Sequence, residues 1–257
     1  GFIPSYEPDR GPGLRMFHVC RNAPLLYMPI RGAGRDPVPD WIRKVDPDGQ
    51  VDSGLTQKEL RRWMRRHPGH RSFTVLRHPL TRAYDAFCQT VIPPDVAGYG
   101  DIREALSARY GVSLPSSPNL ADGWTTELQS AAFLGFLRFL AGNLGGQTSL
   151  RVDYSWASQG AFLSAIAGFV VPDRVIREDA AEAELAQLLE STGLTVSERF
   201  AESFACDAEI GLADIRSDEI DAACAEAYRR DYIFFGFERW RPDDQAARAL
   251  GASVRSV

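Results

Sequence analysis

Two short apolar runs, each bounded by turn or small polar residues, set the reading of this chain. Leu25, Leu26, Tyr27 and Met28 stand between Pro24 and Pro29, and Phe73, Thr74, Val75 and Leu76 follow Ser72. Such runs, apolar at successive positions rather than alternating, predict strands buried on both faces, as in a parallel sheet. Between them, residues 56–67 place Leu60, Trp63 and Met64 on one side of a helix and arginines on the other, with Pro68-Gly69 to stop it. Pro39, with Asp36 or Asp40 as cap, starts a helix after the first strand, and Pro79 starts one running through Phe87. Further helices are predicted near 101–110, over 125–140, over 182–194 with Gly193 ending it, and from the Ser217 cap through Tyr228 into 231–237. Residues 168–171 and 174–176 read as a late strand region.

Strands separated by helices give an α/β class with a mostly parallel central sheet flanked by helices. We read 1–257 as a single domain, with 1–23 as an extended lead-in and 93–124 as a loop-rich insertion around one short helix. The insertion is either a substrate lid or a passive surface excursion. No internal repeat or coiled-coil heptad is present.

Composition narrows the function. With 44% hydrophobic and 25% charged residues the chain is of ordinary globular type. No apolar run reaches the roughly 20 residues of a membrane span, and the best one, 131–140, is broken by Gly135 and Arg138. The opening Gly1-Phe2-Ile3-Pro4 lacks the basic-then-apolar pattern of a signal peptide. Cys20, Cys88, Cys206 and Cys224 are too far apart for a metal clamp or redox motif, so free thiols, no metal and a cytoplasmic location are expected.

The net charge of −5 is unevenly spread. Lys58, Arg61, Arg62, Arg65, Arg66, Arg71, Arg77 and Arg82 face only Glu59 over 58–82, whereas 178–231 is rich in Asp and Glu. A local basic field in an acidic chain fits a small anionic ligand better than DNA or RNA, which would also meet the repelling half. The arginines of 61–66 also read as a solvated helix face. Arg31-Gly32-Ala33-Gly34-Arg35-Asp36 closes the first strand, and its small residues allow backbone N–H groups to approach phosphate oxygens. Arg77 follows the second strand directly, at the edge where α/β sheets keep their ligands. A Gly-x-x-x-x-Gly-Lys-Ser/Thr loop is absent, which argues against a P-loop kinase.

The segment 73–87, Phe-Thr-Val-Leu-Arg-His-Pro-Leu-Thr-Arg-Ala-Tyr-Asp-Ala-Phe, resembles in register the 3′-phosphate motif of the sulfotransferases, especially those that modify carbohydrates. Four more segments follow the same family in order: 25–36 is similar to its strand and 5′-phosphosulfate loop, 151–159 to its Asp-x-His-Trp-x-Pro-Gln segment, 174–179 to its strand before a Glu and a helix, and 228–237 to its closing Tyr-x-x-Asp signature. The resemblance implies a P-loop-NTPase-like three-layer fold. It implies 3′-phosphoadenosine 5′-phosphosulfate (PAPS) as cosubstrate and 3′-phosphoadenosine 5′-phosphate (PAP) as product. It implies that Arg77 contacts the 3′-phosphate, that Arg31 and the Gly32, Ala33, Gly34, Arg35, Asp36 turn hold the 5′-phosphosulfate, and that a carbohydrate or other hydroxyl acceptor enters near Ser155 and Trp156, the latter as a face for a sugar ring.

Several positions depart from that pattern. Arg31 stands for the family's loop lysine, and Arg35 or Asp36 for its Thr or Ser. Asp85 replaces the serine that holds the 3′-phosphate, a change worth about 1.5–3 kcal/mol, or about one to two decades of affinity. Ser155 replaces the histidine beside the tryptophan. His78 is then the histidine nearest the phosphate motif, with Glu178, Asp153 and the carboxylates of the middle loops as alternative bases. Two functions are expected from this balance: sulfo transfer from PAPS to a hydroxyl, with Arg31, Ser155 and His78 as catalytic candidates, or a catalytically degenerate binding or assembly module on the same fold.

Overall fold

The computed structural model describes residues 16–117, 123–194, 199–204 and 208–241. At its centre is a five-stranded sheet in the order β3-β1-β2-β4-β5, formed by β1 (His18–Cys20), β2 (Leu25–Tyr27), β3 (Val51–Asp52), β4 (Arg71–Leu76) and β5 (Arg174–Arg177). β2, β4 and β5 are parallel, while β1 runs antiparallel to both β2 and β3. The sheet is therefore mixed rather than mostly parallel. The reason lies in the turn between Cys20 and Leu25, which reverses the chain too tightly for anything but an antiparallel pair. Part of the expected lead-in is thus a sheet strand; residues 1–15 lie outside the described part.

Helices cover both faces. Side chains alternate along β2, so Leu25 and Tyr27 join Phe73, Val75 and Ile176 beneath α1 (Val38–Val45) and α7 (Ala181–Ser191). Leu26 and Met28 turn the other way, against Leu60 and Trp63 of α2 (Gln57–Arg66) and Ile166 of α6 (Gln159–Ile166). Both sets are almost wholly buried, which explains the unbroken apolar run and contributes about 1.5–3 kcal/mol per side chain. α2 is locked by a Thr56–Glu59 capping box and by Trp63 Nε1 donating to the Cys20 carbonyl at 2.7 Å.

A second body of helices packs beside the sheet. α3 (Pro79–Ala86) runs on into a π turn over Phe87–Val91, and α4 (Gly100–Tyr110) lies within the expected insertion. α5 (Thr126–Leu144) aligns Ala132, Phe133, Phe136, Leu137 and Leu140 against α3 and α9 (Asp218–Ala227). α8 (Leu212–Ile215) and α10 (Arg229–Phe235) complete the set. The insertion's residues 118–122 lie outside the described part.

The late strand region is shorter than expected. Residues 168–171 form no strand, because the Asp173 carboxylate accepts from Ser72 N at 2.7 Å and Ser72 Oγ at 2.8 Å. That side chain occupies the donor which a longer ladder would have used, and pairing begins at Phe73 with Arg174. Cys20, Cys88 and Cys224 are free thiols, and Cys206 lies outside the described residues. No helix among the described residues is long and apolar enough to cross a membrane.

Candidate anion site

The carboxyl ends of β2 and β4 open onto a cleft of about 50 Å3, lined among others by Tyr27, Gly32, Gly34, Arg77, Arg82 and Gln159. At the roughly 10–15 Å3 that a water needs, this is room for a few waters or one tetrahedral oxyanion. Ala33, Arg35 and Asp36 line it as well, so the turn after β2 and the arginine after β4 meet as the sequence anticipated.

Arg77 is held from three sides. Gln159 clamps its backbone, with Arg77 N donating to Oε1 at 2.9 Å and Gln159 Nε2 donating to the Arg77 carbonyl at 2.8 Å. Its Nη1 donates to Asp85 Oδ2 at 2.5 Å, and its Nε lies 3.5 Å from Glu178 Oε2. Burial works against the charge, but Asp85 and Glu178 outweigh it and raise the guanidinium's hold on its proton. Nη2 is buried with no protein partner among the described residues.

Glu178 also accepts from His78 N at 2.9 Å, at the amino end of α3 where Pro79 begins the helix. A carboxylate suits that helix end, and this places Glu178 as a structural clamp. Gln159 in turn owes its position to Asp231, whose carboxylate accepts from Gln159 N at 2.8 Å and Gly160 N at 3.0 Å at the start of α6. Asp231 is fully buried, and burial raises its pKa against those two bonds. The Tyr-x-x-Asp signature therefore supports the site from a distance, and Tyr228 OH donates to the Trp156 carbonyl at 2.8 Å.

Arg82 is a second buried cation, 3% exposed. It donates to three carbonyl oxygens, of Ala157 at 2.6 Å, Arg31 at 2.7 Å and Tyr154 at 2.9 Å. Burial lowers its pKa, and its Nε has no protein partner among the described residues. The glycine turn closes over this pair. Gly34 adopts φ +112, and a Cβ there would stand 2.7 Å from Asp85 Oδ2 and 3.1 Å from Arg77 Nη1, so only glycine lets the turn approach. Gly34 N donates to Gln89 Oε1 at 3.0 Å, from the π turn that follows α3. Asp36 accepts from Tyr27 OH at 2.7 Å and Val38 N at 3.0 Å, which ties the turn to β2 and α1. Burial raises the Asp36 pKa.

The remaining expected site residues have other surroundings, and Arg35 of the lining has a partner of its own. Arg31 is exposed at the rim, its Cζ 5.2 Å from the Tyr154 ring centroid, and Arg35 pairs with Glu202 at 3.2 Å. His78 lies outside the cleft lining; its Nδ1 accepts from Leu80 N at 3.1 Å and its Nε2 faces the Glu238 carbonyl at 2.9 Å. Both nitrogens are engaged and burial lowers the pKa, so the ring is a neutral helix cap, not an available base. Ser155 is buried and donates to Asp153 Oδ1 at 2.7 Å. Trp156 is a core residue with no exposed surface, its Nε1 donating to Asn143 Oδ1 at 3.1 Å. It offers no face to a sugar ring, because the turn at 153–157 points it into the cluster of Phe136 and Tyr99. The arginines of α2 do not reach the cleft; Arg61, Arg62, Arg65 and Arg66 are exposed on the far side of Leu60 and Trp63.

Arg82, Gln159, Tyr27 and Phe204 were not expected in the lining. Arg82 and Gln159 each sit inside a segment that resembles the sulfotransferases, and that was the available signal. Phe204 comes from a stretch with no pattern of its own, its ring centroid 5.9 Å from Arg77 Cζ. Compared with models of known protein families, with curated proteins and with solved structures, the chain matches none.

Proposed function

We propose that the cleft binds the phosphate or sulfo end of an anionic nucleotide such as PAPS or PAP, and that the chain is a sulfotransferase-like binding module. One observation carries this reading. Two buried guanidiniums line one small cleft, and each has an N–H with no protein partner among the described residues, Arg77 Nη2 and Arg82 Nε. A buried unpaired donor costs about 1–3 kcal/mol, and an oxyanion is the ligand chemistry that two such donors would satisfy. At about 50 Å3 the cleft has room for the terminal group.

Binding is favoured over turnover because two of the three catalytic candidates are committed to other partners. His78 caps a helix, and Ser155 is bonded to Asp153. Sulfo transfer to a carbohydrate or other hydroxyl remains the second reading. Arg31 favours it, being an exposed cation beside the cleft with no acid partner among the described residues, where it would stabilise charge on a migrating group.

Calorimetry with PAP tests the first reading. Wild type is expected to bind, and Arg77→Lys to bind much more weakly, since lysine keeps a cation for Asp85 but loses the second guanidinium nitrogen. Absence of PAP binding to folded wild type would end the proposal. A PAPS assay with simple sugars that shows turnover would instead favour the enzyme.

A further inference from the structure

We propose that the outer face of α6, with α2 at one end and α10 at the other, docks on an anionic lipid surface, an inference independent of the cleft. From Ser158 to Pro172, through α6 and the turn after it, the chain carries no charged residue. On the inner side, Ile166 is buried with Leu60 and Trp63 of α2, and Phe162, Leu163 and Phe169 pack around them. The outer side presents Ala161, Ser164, Ala165 and Ala167, and then Val171, 66% exposed. In a chain with 25% charged residues, such an uncharged stretch on an exposed helix marks a surface that something else covers.

Both ends of this face carry cations. At the amino end of α6, Asp231 accepts from Gln159 N and Gly160 N, and the Phe235 ring stands 3.8 Å from where a Cβ on Gly160 would be, so that side of α10 is fixed inward. The other side then presents Ile233 and Phe234, 67% and 73% exposed, beside the exposed Arg229 and Arg230. At the carboxyl end, Arg61 of α2 lies over the Phe169 ring, its Cζ 5.4 Å from the centroid. Lys58 and Arg65, three residues before it and four after, extend the same stripe of the helix. None of these cations makes an ion pair with a described residue, whereas Asp231 is buried, Glu59 closes the capping box and Asp173 accepts from Ser72. An anionic bilayer matches both parts of the face, with an apolar phase for Val171, Ile233 and Phe234 and headgroup phosphates for the cations around them. A nucleic acid would satisfy the cations and leave the apolar side chains in water.

Co-sedimentation with vesicles of phosphatidylcholine alone, and of equal parts phosphatidylcholine and phosphatidylserine, tests this. Wild type is expected to pellet with the mixed vesicles, to stay in solution with phosphatidylcholine alone, and to be released by salt. Arg61→Gln with Arg65→Gln is expected to weaken mixed-vesicle binding about 30-fold, from the loss of two cations near the surface. Ile233→Ser with Phe234→Ser is expected to weaken it about 10- to 100-fold, through lost apolar burial. These side chains are exposed, so near-wild-type urea midpoints are expected and show that the fold is intact. PAP, which the anion-site reading seats between Arg77 and Arg82, is expected to leave vesicle binding unchanged. No sedimentation of wild type with mixed vesicles, equal sedimentation with both compositions, or undiminished binding by either double variant overturns the inference. Release by PAP overturns it too, since the cleft and not this face would then hold the headgroup. A wild-type dimer that the serine variant dissolves, without vesicle binding, would assign the face to a second copy of this chain instead.

Discussion

Arg77, just after β4, and Asp85, in the second turn of α3, form an ion pair of 2.5 Å that is 12% and 5% exposed in its two side chains. On the proposed anion-site reading a carboxylate at position 85 repels an incoming phosphate, so the contact would trade ligand affinity against stability. Asp85→Ser is expected to tighten PAP binding by about one to two decades, through loss of a repelling charge and gain of a donor. It is also expected to cost about 3 kcal/mol of stability, since a buried cation keeps only the longer contact to Glu178. Calorimetry and urea unfolding on the same protein check the opposite signs.

Gly34 is expected to be the least replaceable residue of the turn. Gly34→Ala forces a Cβ at φ +112 to within 2.7 Å of Asp85 Oδ2. Backbone strain alone costs about 1–3 kcal/mol. In the Asp85→Ser background the loss should shrink by at least about 0.5 kcal/mol, because the contacted oxygen is gone. A double-mutant cycle in urea with no coupling would mean the turn does not pack against position 85.

Gln159→Glu keeps an acceptor for Arg77 N but sets a carboxylate oxygen against the Arg77 carbonyl in place of the Nε2 donor. The expected destabilisation is about 1–3 kcal/mol. Thermal unfolding reads it directly, and a neutral result would remove Gln159 from the machinery that positions Arg77.

His78 gives a pH signature. Burial depresses its folded pKa below the ordinary 6.5, so the unfolded chain takes up the proton first. Its contribution to stability is present above that value and lost as pH falls through the folded pKa. His18 shifts in the same direction, and burial is the main cause there too. His78→Asn retains an oxygen for Leu80 N, and its urea midpoint should fall less than that of wild type between pH 7.5 and 5.5. Identical slopes would show that His78 does not titrate in this window.

Trp156→Phe separates a core role from a ligand role. It strips the Asn143 side chain of one partner and leaves a smaller ring in a filled site. A loss of about 1–3 kcal/mol in stability is expected with PAP affinity unchanged. A drop in affinity without loss of stability would return the residue to the binding surface.

Much of the scaffold was legible because it rests on local chemistry. The apolar runs at 25–28 and 73–76 became the strands of a two-sided core, and Thr56, Pro79 and Ser217 began helices close to where their side chains predict. β1 and β3 were missed, since strands of three and two residues carry too few side chains to show a period. α6 was missed although Ser158 caps it locally, accepting from Ala161 N at 3.0 Å; Asp231, remote in sequence, accepts from its first N–H groups as well.

The sequence by itself determined that an α/β scaffold would bring a glycine turn and Arg77 to neighbouring strand ends, because strand and helix periodicity and the position of Pro79 are local properties. Only the tertiary structure decided which cations reach the cleft and what already holds them. Arg61, Arg62, Arg65 and Arg66 read like a binding run yet face solvent, whereas Arg82 is buried over three carbonyls contributed by segments more than fifty residues away in either direction. Burial and pairing are sums over contacts between distant segments, and in this protein those sums decide which arginines line the cleft and what holds them.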